Sequence, residues 1–379
     1  THCGIKNTQA DLAYIFVPNC KGSAGLFTRN KFVSPTITHT KKALKNNILK
    51  AVIINSGNAN AGTGLEGIGV VKQTASQAAS LLGITSHEVV VASTGPIAKP
   101  MPLNALTEGL NAMLAQPMTQ NGHKAATAIL TTDTFSKEAF HEAEIAHHTI
   151  QIAGMTKGSG MIAPNMATTL TFLATNANLH SSRLHKMLQK AVDISFNMLS
   201  VDTDTSTNDM ILIFSTGEHS FNVRSNEELS SFQTLLNETC INLTKQIAKD
   251  GEGSKKMIEV CVLNSASVSD ARKIALNIVN SPLVKTAIHG ANPNWGRVLA
   301  AAGKDPSVKL NPHKIDLHFG DFQVLAKGEP IPFNNQVLEE ILGKDTIHIC
   351  FNMNIGHATA TSWGCELTKG YININTDYN

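Results

Sequence analysis

No stretch of this 379-residue sequence approaches the roughly 20 consecutive apolar residues that a membrane-spanning helix needs, so no such helix is expected. Neither sign of charge dominates. Lysine and arginine number 31 against 29 acidic residues, a formal net charge of +2, and they are dispersed without a basic stripe. Nucleic acid is therefore not an expected partner. The six cysteines (Cys3, Cys20, Cys240, Cys261, Cys350, Cys365) are scattered with no C-x-x-C, which in a chain this long reads as reduced thiols in a cytosol-like compartment. The phosphate loops G-x-G-x-x-G and G-x-x-x-x-G-K-[ST] are absent, and with them a nucleotide fingerprint. There is no low-complexity linker and no repeat of about 20–50 residues. The start, "THCGIKNTQADLAYIFVPNC", lacks the charged-then-apolar order of a signal peptide. Because it opens without methionine, an upstream piece is expected to have been removed or left out.

What is present describes a packed globule: 42% apolar and 16% charged residues. The length exceeds one small core, so two or three compact subdomains are expected. An intracellular enzyme is the starting expectation. The runs "LAYIFV", "AVIIN" and "EVVVAS" are short, β-branched and bounded by turn formers, as strands are. Between the last two, "LEGIGVVKQTASQAASLLG" reads as a helix closed by Gly83 at C′. "SSRLHKMLQKAVDISFNML" is a second helix, with Leu184, Met187, Leu188 and Ala191 on one face and Ser181 or Ser182 as N-cap. A third covers "NEELSSFQTLLNETCINLTKQIAKD" and ends at Gly251, and "DMILIFST", "MIEVCVLN", "KIDLHF" and "TIHICFNM" are further strands. The fold class is α/β or α+β, with layered β-sheets flanked by helices. A weak composition break follows "HHTIQIAG".

Several motifs invite chemistry. "HEAEIAHH" (His141, Glu142, Glu144, His147, His148) lacks the H-E-x-x-H spacing that puts two imidazoles one turn apart on a helix. A solvated hairpin or loop is the better reading, and no metal is expected. Ser159 in "GSG" lacks the glycines two residues to either side that a nucleophile elbow needs, so a turn is expected. "VVVASTGPI" ends a strand in Ser93-Thr94-Gly95. That is either a tight turn or an anion site, with a glycine N–H and a threonine hydroxyl aimed at a developing negative oxygen. "NSGNANAGTG" (Asn55 to Gly64) is a second loop of this type, turn-like by default.

The most specific stretch is "KGSGMIAPNMATTL", Lys157 to Leu170, which leads into a strand through Ala167-Thr168-Thr169. Thr168 admits two readings: a buried strand threonine, or a nucleophile exposed by a cut between Ala167 and Thr168. In the second, one residue carries a hydroxyl and a free α-amine, whose ordinary pKa of about 8 lets it accept a proton near neutrality.

Read in order, "VIINSGNANAGTG", "VVVASTG", "AILTTDTFSK", "KGSGMIAPNMATTL", "LSVDTDTSTND", "KDGEGSKK", "NPNWGRVLAAAG" and "YININTDY" resemble the ornithine acetyltransferase (glutamate N-acetyltransferase) family over essentially the whole length. The resemblance implies self-cleavage at Ala167-Thr168, giving an α chain (1–167) and a β chain (168–379) that stay associated as a heterotetramer. Thr168 would take the acetyl group of N-acetylornithine as an ester and pass it to glutamate. It also implies an oxyanion pair at Thr94 and Gly95, and substrate-binding roles for Thr131 (with Thr132 a near-equal candidate), Lys157, Thr168, Glu252 and Asn375. Glu252 would meet the ornithine δ-ammonium. No cofactor is implied, acetyl-CoA is a candidate second donor, and the partners are small-molecule substrates. The location would be cytoplasmic, or the mitochondrial matrix in a eukaryote. The implied fold is that of this family and of related self-processing aminopeptidases, akin to N-terminal-nucleophile hydrolases in mechanism.

The sequence departs from the family's pattern at Ala163 (histidine in some members), Thr169 (usually methionine), Ala98 (often glycine) and Gly62 (often cysteine). The pattern's C-terminal serine or threonine ligand has no counterpart by Asn379. Two other functions compete: a self-processing aminopeptidase or amidase, and an uncleaved amino-acid-binding protein.

Overall fold

A computed structural model describes residues 1–46, 48–116, 121–163, 169–219 and 226–377. The chain forms two compact units. One comprises Thr1–Gly158, Asn165–Asp193 and Thr205–Leu243; the other comprises Ser159–Pro164, Ile194–Asp204 and Thr244–Asn379. Each unit draws on residues both before and after position 167.

The first unit opens with β1 (Leu12–Phe16), β2 (Gly22–Phe27), α1 (Pro35–Asn46), β3 (Ala51–Ser56), α2 (Gly64–Leu82) and β4 (Val89–Thr94). Next come α3 (Leu103–Leu114), α4 (Gly122–Ala128), β5 (Lys137–Ile145), β6 (His148–Lys157), β7 (Leu170–Ala177), α5 (Ser181–Asp193) and β8 (Met210–His219). Two sheets result among the described residues, ordered β1-β3-β4 and β2-β8-β7-β6-β5. β3 and β4 are parallel, joined through α2. Their unbroken β-branched sequence follows from burial on both faces. Val52, Ile54, Val90 and Ala92 join a core with Ile37 of α1, Ala126 of α4, and Phe172, Leu212 and Phe214 of the larger sheet. Ala51, Ile53, Val89 and Val91 pack instead on Val70, Val71, Ala75 and Ala78 of α2 and Leu106 and Leu110 of α3. At about 1.5–3 kcal/mol per buried aliphatic side chain, this double face fixes the register of the strands that carry the loops discussed below.

In the larger sheet β7 runs parallel to β8, with Leu170 opposite Met210, and antiparallel to β6, with Lys157 opposite Leu170. Threonine is tolerated in this dry setting because the hydroxyls satisfy one another. Thr156 and Thr171 Oγ1 lie 2.7 Å apart, and Thr171 donates to Thr169 Oγ1 at 3.1 Å.

The second unit is built on a sheet that holds β9 (Met257–Ser265) near its centre, after α6 (Asn226–Lys249), within which the division between the units falls. Beyond β9 come α7 (Val268–Val279), α8 (Pro282–His289), α9 (Gly296–Ala302), β10 (Asp316–Phe319), β11 (Phe322–Ala326), α10 (Asn335–Leu342), β12 (Thr346–Asn352), β13 (Ala358–Cys365) and α11 (Lys369–Asp377). The sheet order is Glu329–Pro330, β11, β10, β12, β9, β13 and Leu199–Ser200.

The layered α/β class read from the sequence is the class observed. Gly83 caps α2 in the left-handed conformation (φ 67°), its N–H donating to Ala79 O. The α5 helix buries Leu184, Met187, Leu188 and Ala191 as the periodicity requires. Two details of that helix differ from expectation. It stops at Asp193 rather than continuing to Leu199, because Ser195 (φ −123°, ψ −95°) leaves helical space before a 3₁₀ turn and a short strand. Ser181 and Ser182 lie inside the helix. The Ser181 hydroxyl accepts from Ser23 N, while His180 supplies the cap, its Nδ1 accepting from Ser182 N at 3.3 Å. The composition break after Gly154 falls inside β6, and the unit boundary comes at Gly158.

Candidate functional site

The two loops that follow β3 and β4 leave the carboxyl ends of adjacent parallel strands, the edge at which α/β sheets present ligand-binding residues. They are zipped together: Asn58 N donates to Thr94 O at 3.0 Å, Ala59 N to Pro96 O at 3.1 Å, and Ala98 N to Ala61 O at 2.8 Å. Asn208, preceding β8, ties them again, its Nδ2 donating to Ala59 O at 2.6 Å and Ser93 O at 2.8 Å. The turn reading of both loops therefore holds, and the turn exposes specific groups. Thr94 ends β4 with a half-buried side chain, and Gly95 follows at φ 138°. A Cβ there would lie 2.4 Å from Asn58 N, so only glycine lets the loops approach.

Lys157, at the last position of β6, reaches this edge. Its Nζ donates to Thr94 Oγ1 at 3.2 Å and lies 3.9 Å from Asp133 Oδ2, with only 5% of the residue exposed. Asp133 is fully buried. Its Oδ1 accepts from Lys137 Nζ at 2.7 Å and Gly158 N at 2.7 Å, and its Oδ2 from Thr131 N at 3.0 Å. Burial alone would raise this carboxyl, but the Lys157 and Lys137 ammoniums and the N–H donors outweigh it and hold Asp133 well below the usual carboxylate range. Thr131 and Lys157 thus meet at one carboxylate, and Lys157 links Thr94 to it.

Nearby, Lys6 donates to Leu130 O at 2.6 Å; burial lowers its ammonium, with Asp11 and Asp133 opposing and Lys157 reinforcing that shift. Asp11 accepts the N–H groups of Cys3 to Lys6. Three ammoniums (Lys6, Lys137, Lys157) therefore face two carboxylates (Asp11, Asp133). The surplus positive charge in a poorly solvated place favours an anionic ligand.

Within the second unit a separate pair forms. Glu252 is 9% exposed, its N donates to Ser159 O at 3.1 Å, and its Oε2 accepts from Asn375 Nδ2 of α11 at 2.8 Å. A Cβ at Gly160 would lie 2.3 Å from the Glu252 carboxyl, so the second glycine of "GSG" makes room for that side chain. Ser159 donates to Asp250 O at 2.6 Å and is buried, as expected of a turn rather than a nucleophile. Asp202 accepts from Met161 N at 2.7 Å and Ile162 N at 2.8 Å, fixing the backbone ahead of residue 164.

Ala167 and Thr168 lie outside the described residues. On the far side of that segment, Thr169 O accepts from Met210 N at 2.9 Å in the first unit. The histidine-rich motif runs from the end of β5 through the turn into β6, with Ala146 (φ 53°) and His147 (φ 64°) at the tip of this hairpin. Among the described residues no group of three His, Cys, Asp or Glu is arranged to hold a metal ion, and no helix is long and apolar enough to cross a membrane.

Thr131 and Lys157 stand out in the sequence, whereas Asp133, which orders both, does not, and neither do Lys137, Asn208 and Asp209. The signal lay in the charged or amide residues inside "TTDTFSK" and "STND", polar groups set within otherwise strand-like surroundings. Asp209 is completely buried, which pushes its carboxyl well above the ordinary range.

The family model described as ArgJ family matches residues 1–379. The arginine biosynthesis bifunctional protein ArgJ of Dehalococcoides mccartyi is 41% identical over 382 aligned residues, covering 100% of this chain and 94% of that protein. The protein of the same name from Symbiobacterium thermophilum is 42% identical, covering 94% of this chain and 89% of its own length. The crystal structure of arginine biosynthesis bifunctional protein argJ from Bacillus halodurans is 38% identical with a TM-score of 0.53, covering 55% of this chain and 98% of that one. On the full-length family match and on these identities, the chain belongs to the ArgJ family.

Proposed function

We propose that this enzyme moves an acetyl group from N-acetylornithine to glutamate, the specific form of the acetyl transfer in arginine biosynthesis that its family membership gives it. The observation that carries the reading is the Lys157 ammonium set 3.2 Å from Thr94 Oγ1. It joins a carboxylate-binding charge to a hydroxyl suited to an acyl oxygen.

In this mechanism the Thr168 hydroxyl attacks the Ala167 carbonyl carbon, water hydrolyses the resulting ester to leave a carboxyl group on Ala167, and the freed α-amine of Thr168 then accepts the proton of its own hydroxyl. Thr168 Oγ attacks the acetamide carbon. The negative oxygen of the tetrahedral intermediate is met by the Thr94 hydroxyl and the Gly95 N–H, each such donor being worth about 3 kcal/mol of barrier. Collapse expels the α-amine of ornithine, which takes the proton and leaves an acetyl ester on Thr168. The α-amine of glutamate attacks that ester, and Thr168 regains its proton. Lys157 and the surplus positive charge hold the substrate α-carboxylate, while Thr131 adds a hydrogen-bonding group. Glu252, held by Asn375, pairs with the δ-ammonium that glutamate lacks.

One observation supports the association of the pieces 1–167 and 168–379, and another supports the cleavage. β7 and β8 follow the cut yet are hydrogen-bonded to β6 and β2, which precede it, so the two pieces would stay together. The Bacillus halodurans crystal chain is almost fully covered by 55% of this chain, about the share that 168–379 makes up. A heterotetramer of both pieces, a cytoplasmic location, no cofactor and acetyl-CoA as a second donor complete the proposal. Incubation with N-acetylornithine, with and without glutamate, tests it: ornithine release should require glutamate beyond the first turnover. Acetate release independent of glutamate would show a hydrolase instead.

A further inference from the structure

We propose that Asp133 is a positioning residue for acyl transfer: it holds the Lys157 ammonium against Thr94, and thereby turns the Thr94 hydroxyl proton toward the substrate. The inference rests on the reading of Thr94 as an oxyanion donor. A threonine hydroxyl has one proton and two lone pairs, whereas an ammonium only donates. The 3.2 Å contact from Lys157 Nζ therefore occupies a lone pair of Thr94 Oγ1 and leaves its proton for another acceptor. An oxygen that accepts from a cation is also the stronger donor, because adjoining hydrogen bonds polarise one another in a dry site.

The position of Lys157 is in turn referred to Asp133. At 3.9 Å the two form an ion pair without a short hydrogen bond, and the carboxylate cannot swing. Lys137 Nζ and Gly158 N fix one oxygen, and Thr131 N fixes the other. Gly158 directly follows Lys157, so the same carboxylate holds both the backbone beside the lysine and the charge at its tip. One buried anion thus sets the oxyanion hydroxyl, the Lys157 ammonium and the Thr131 backbone together. The competing account is that Asp133 serves only to neutralise Lys137. Its loss would then weaken the fold without any special dependence on Thr94.

A double-mutant cycle separates the two accounts. The kcat and KM for acetyl transfer from N-acetylornithine to glutamate are measured for the unaltered enzyme, Asp133→Asn, Thr94→Val and the pair, with thermal melts alongside. Thr94→Val should lower kcat by roughly 10²–10³-fold, as loss of an oxyanion donor does. Asp133→Asn should lower kcat about tenfold or more when Thr94 is present, a fraction of that loss. In the Thr94→Val background it should cost less than about twofold, the margin within which independent effects add. An equal factor in both backgrounds overturns the proposal while leaving the function intact. If Thr94→Val keeps full kcat, the oxyanion reading itself falls, and this inference with it. Should Asp133→Asn fail to fold, Asp133→Asn with Lys137→Met also removes the buried Lys137 ammonium whose counter-charge is gone, and is carried through the same cycle, with the same two outcomes.

Discussion

Replacing Gly95 with alanine tests the oxyanion loop with a perturbation of known size. The added Cβ would lie 2.4 Å from Asn58 N and 2.5 Å from Gly57 C. Ordinary contact begins at about 3.5 Å, so the loops must part by about 1 Å. Both obstructing atoms are backbone, pinned by the Asn58-to-Thr94 and Ala59-to-Pro96 hydrogen bonds, and no side chain can rotate away to absorb the change. The φ of 138° adds strain for any residue with a Cβ. Strain and overpacking together should cost about 2–5 kcal/mol of stability. A donor misplaced by about 1 Å should lose about 10²-fold in kcat. The assay is steady-state acetyl transfer paired with urea unfolding. Gly83→Ala is the control: it also has positive φ (67°) but nothing within 4 Å of the new Cβ, and it belongs to no part of the site. It should lose about 1 kcal/mol and keep its kcat. If Gly95→Ala stays within about threefold of normal kcat and is no less stable than the control, the contact between the loops does not place the donor.

Three further outcomes follow from single side chains. Glu252→Gln keeps the acceptor for Asn375 but loses the charge, so KM for N-acetylornithine should rise about tenfold to a hundredfold while KM for glutamate holds, and equal losses would contradict the δ-ammonium role. Lys137→Met takes the nearer of two ammoniums from the buried Asp133 carboxylate and should cost about 3 kcal/mol in urea unfolding, the low end for a broken buried pair because Lys157 remains 3.9 Å away; a loss under about 1 kcal/mol would mean the pair is not buried as described. Asp209 bears on pH. Its unfolded carboxyl titrates near pH 4, but burial keeps the native one protonated to higher pH. The native state therefore holds the extra proton in that window, and stability falls as pH rises above about 4 toward the folded value. Asp209→Asn removes this term, so its advantage over the unaltered protein should be larger at pH 7 than at pH 4, whereas parallel curves at both pH values would refute the shift.

Much of this was legible in the sequence because short-range rules governed it. Gly83 announced the end of α2 since only a residue free of Cβ strain closes a helix in the left-handed region, and the apolar face of α5 followed from its period. The end of α5 was not legible: Ser195 breaks the helix where no glycine or proline marks a stop. The caps expected of Ser181 and Ser182 went to His180 because the Ser181 hydroxyl is spent on β2, a long-range contact. Ala98 adopts φ 58°, a conformation in which the glycine often found there in the family would be unstrained. For the proposed site, motif order named Lys157, Thr94 and Thr131, but the carboxylate beside Lys157 and Thr131 was hidden. Asp133 looks like a turn residue in "TTDT", and its role depends on Gly158 and Lys157 folding back from 25 or so residues later, which spacing does not express.

Thr168 is proposed to become an amino terminus and to carry the acetyl group. Intact-protein mass spectrometry after exposure to N-acetylornithine, with glutamate withheld, measures both at once. Two polypeptides broken between Ala167 and Thr168 are predicted, the later one heavier by a single acetyl group that glutamate then removes, while Thr168→Ala gives one unbroken, unmodified chain. An unaltered enzyme that turns over while remaining one polypeptide, or whose later piece never gains the acetyl mass, would contradict it.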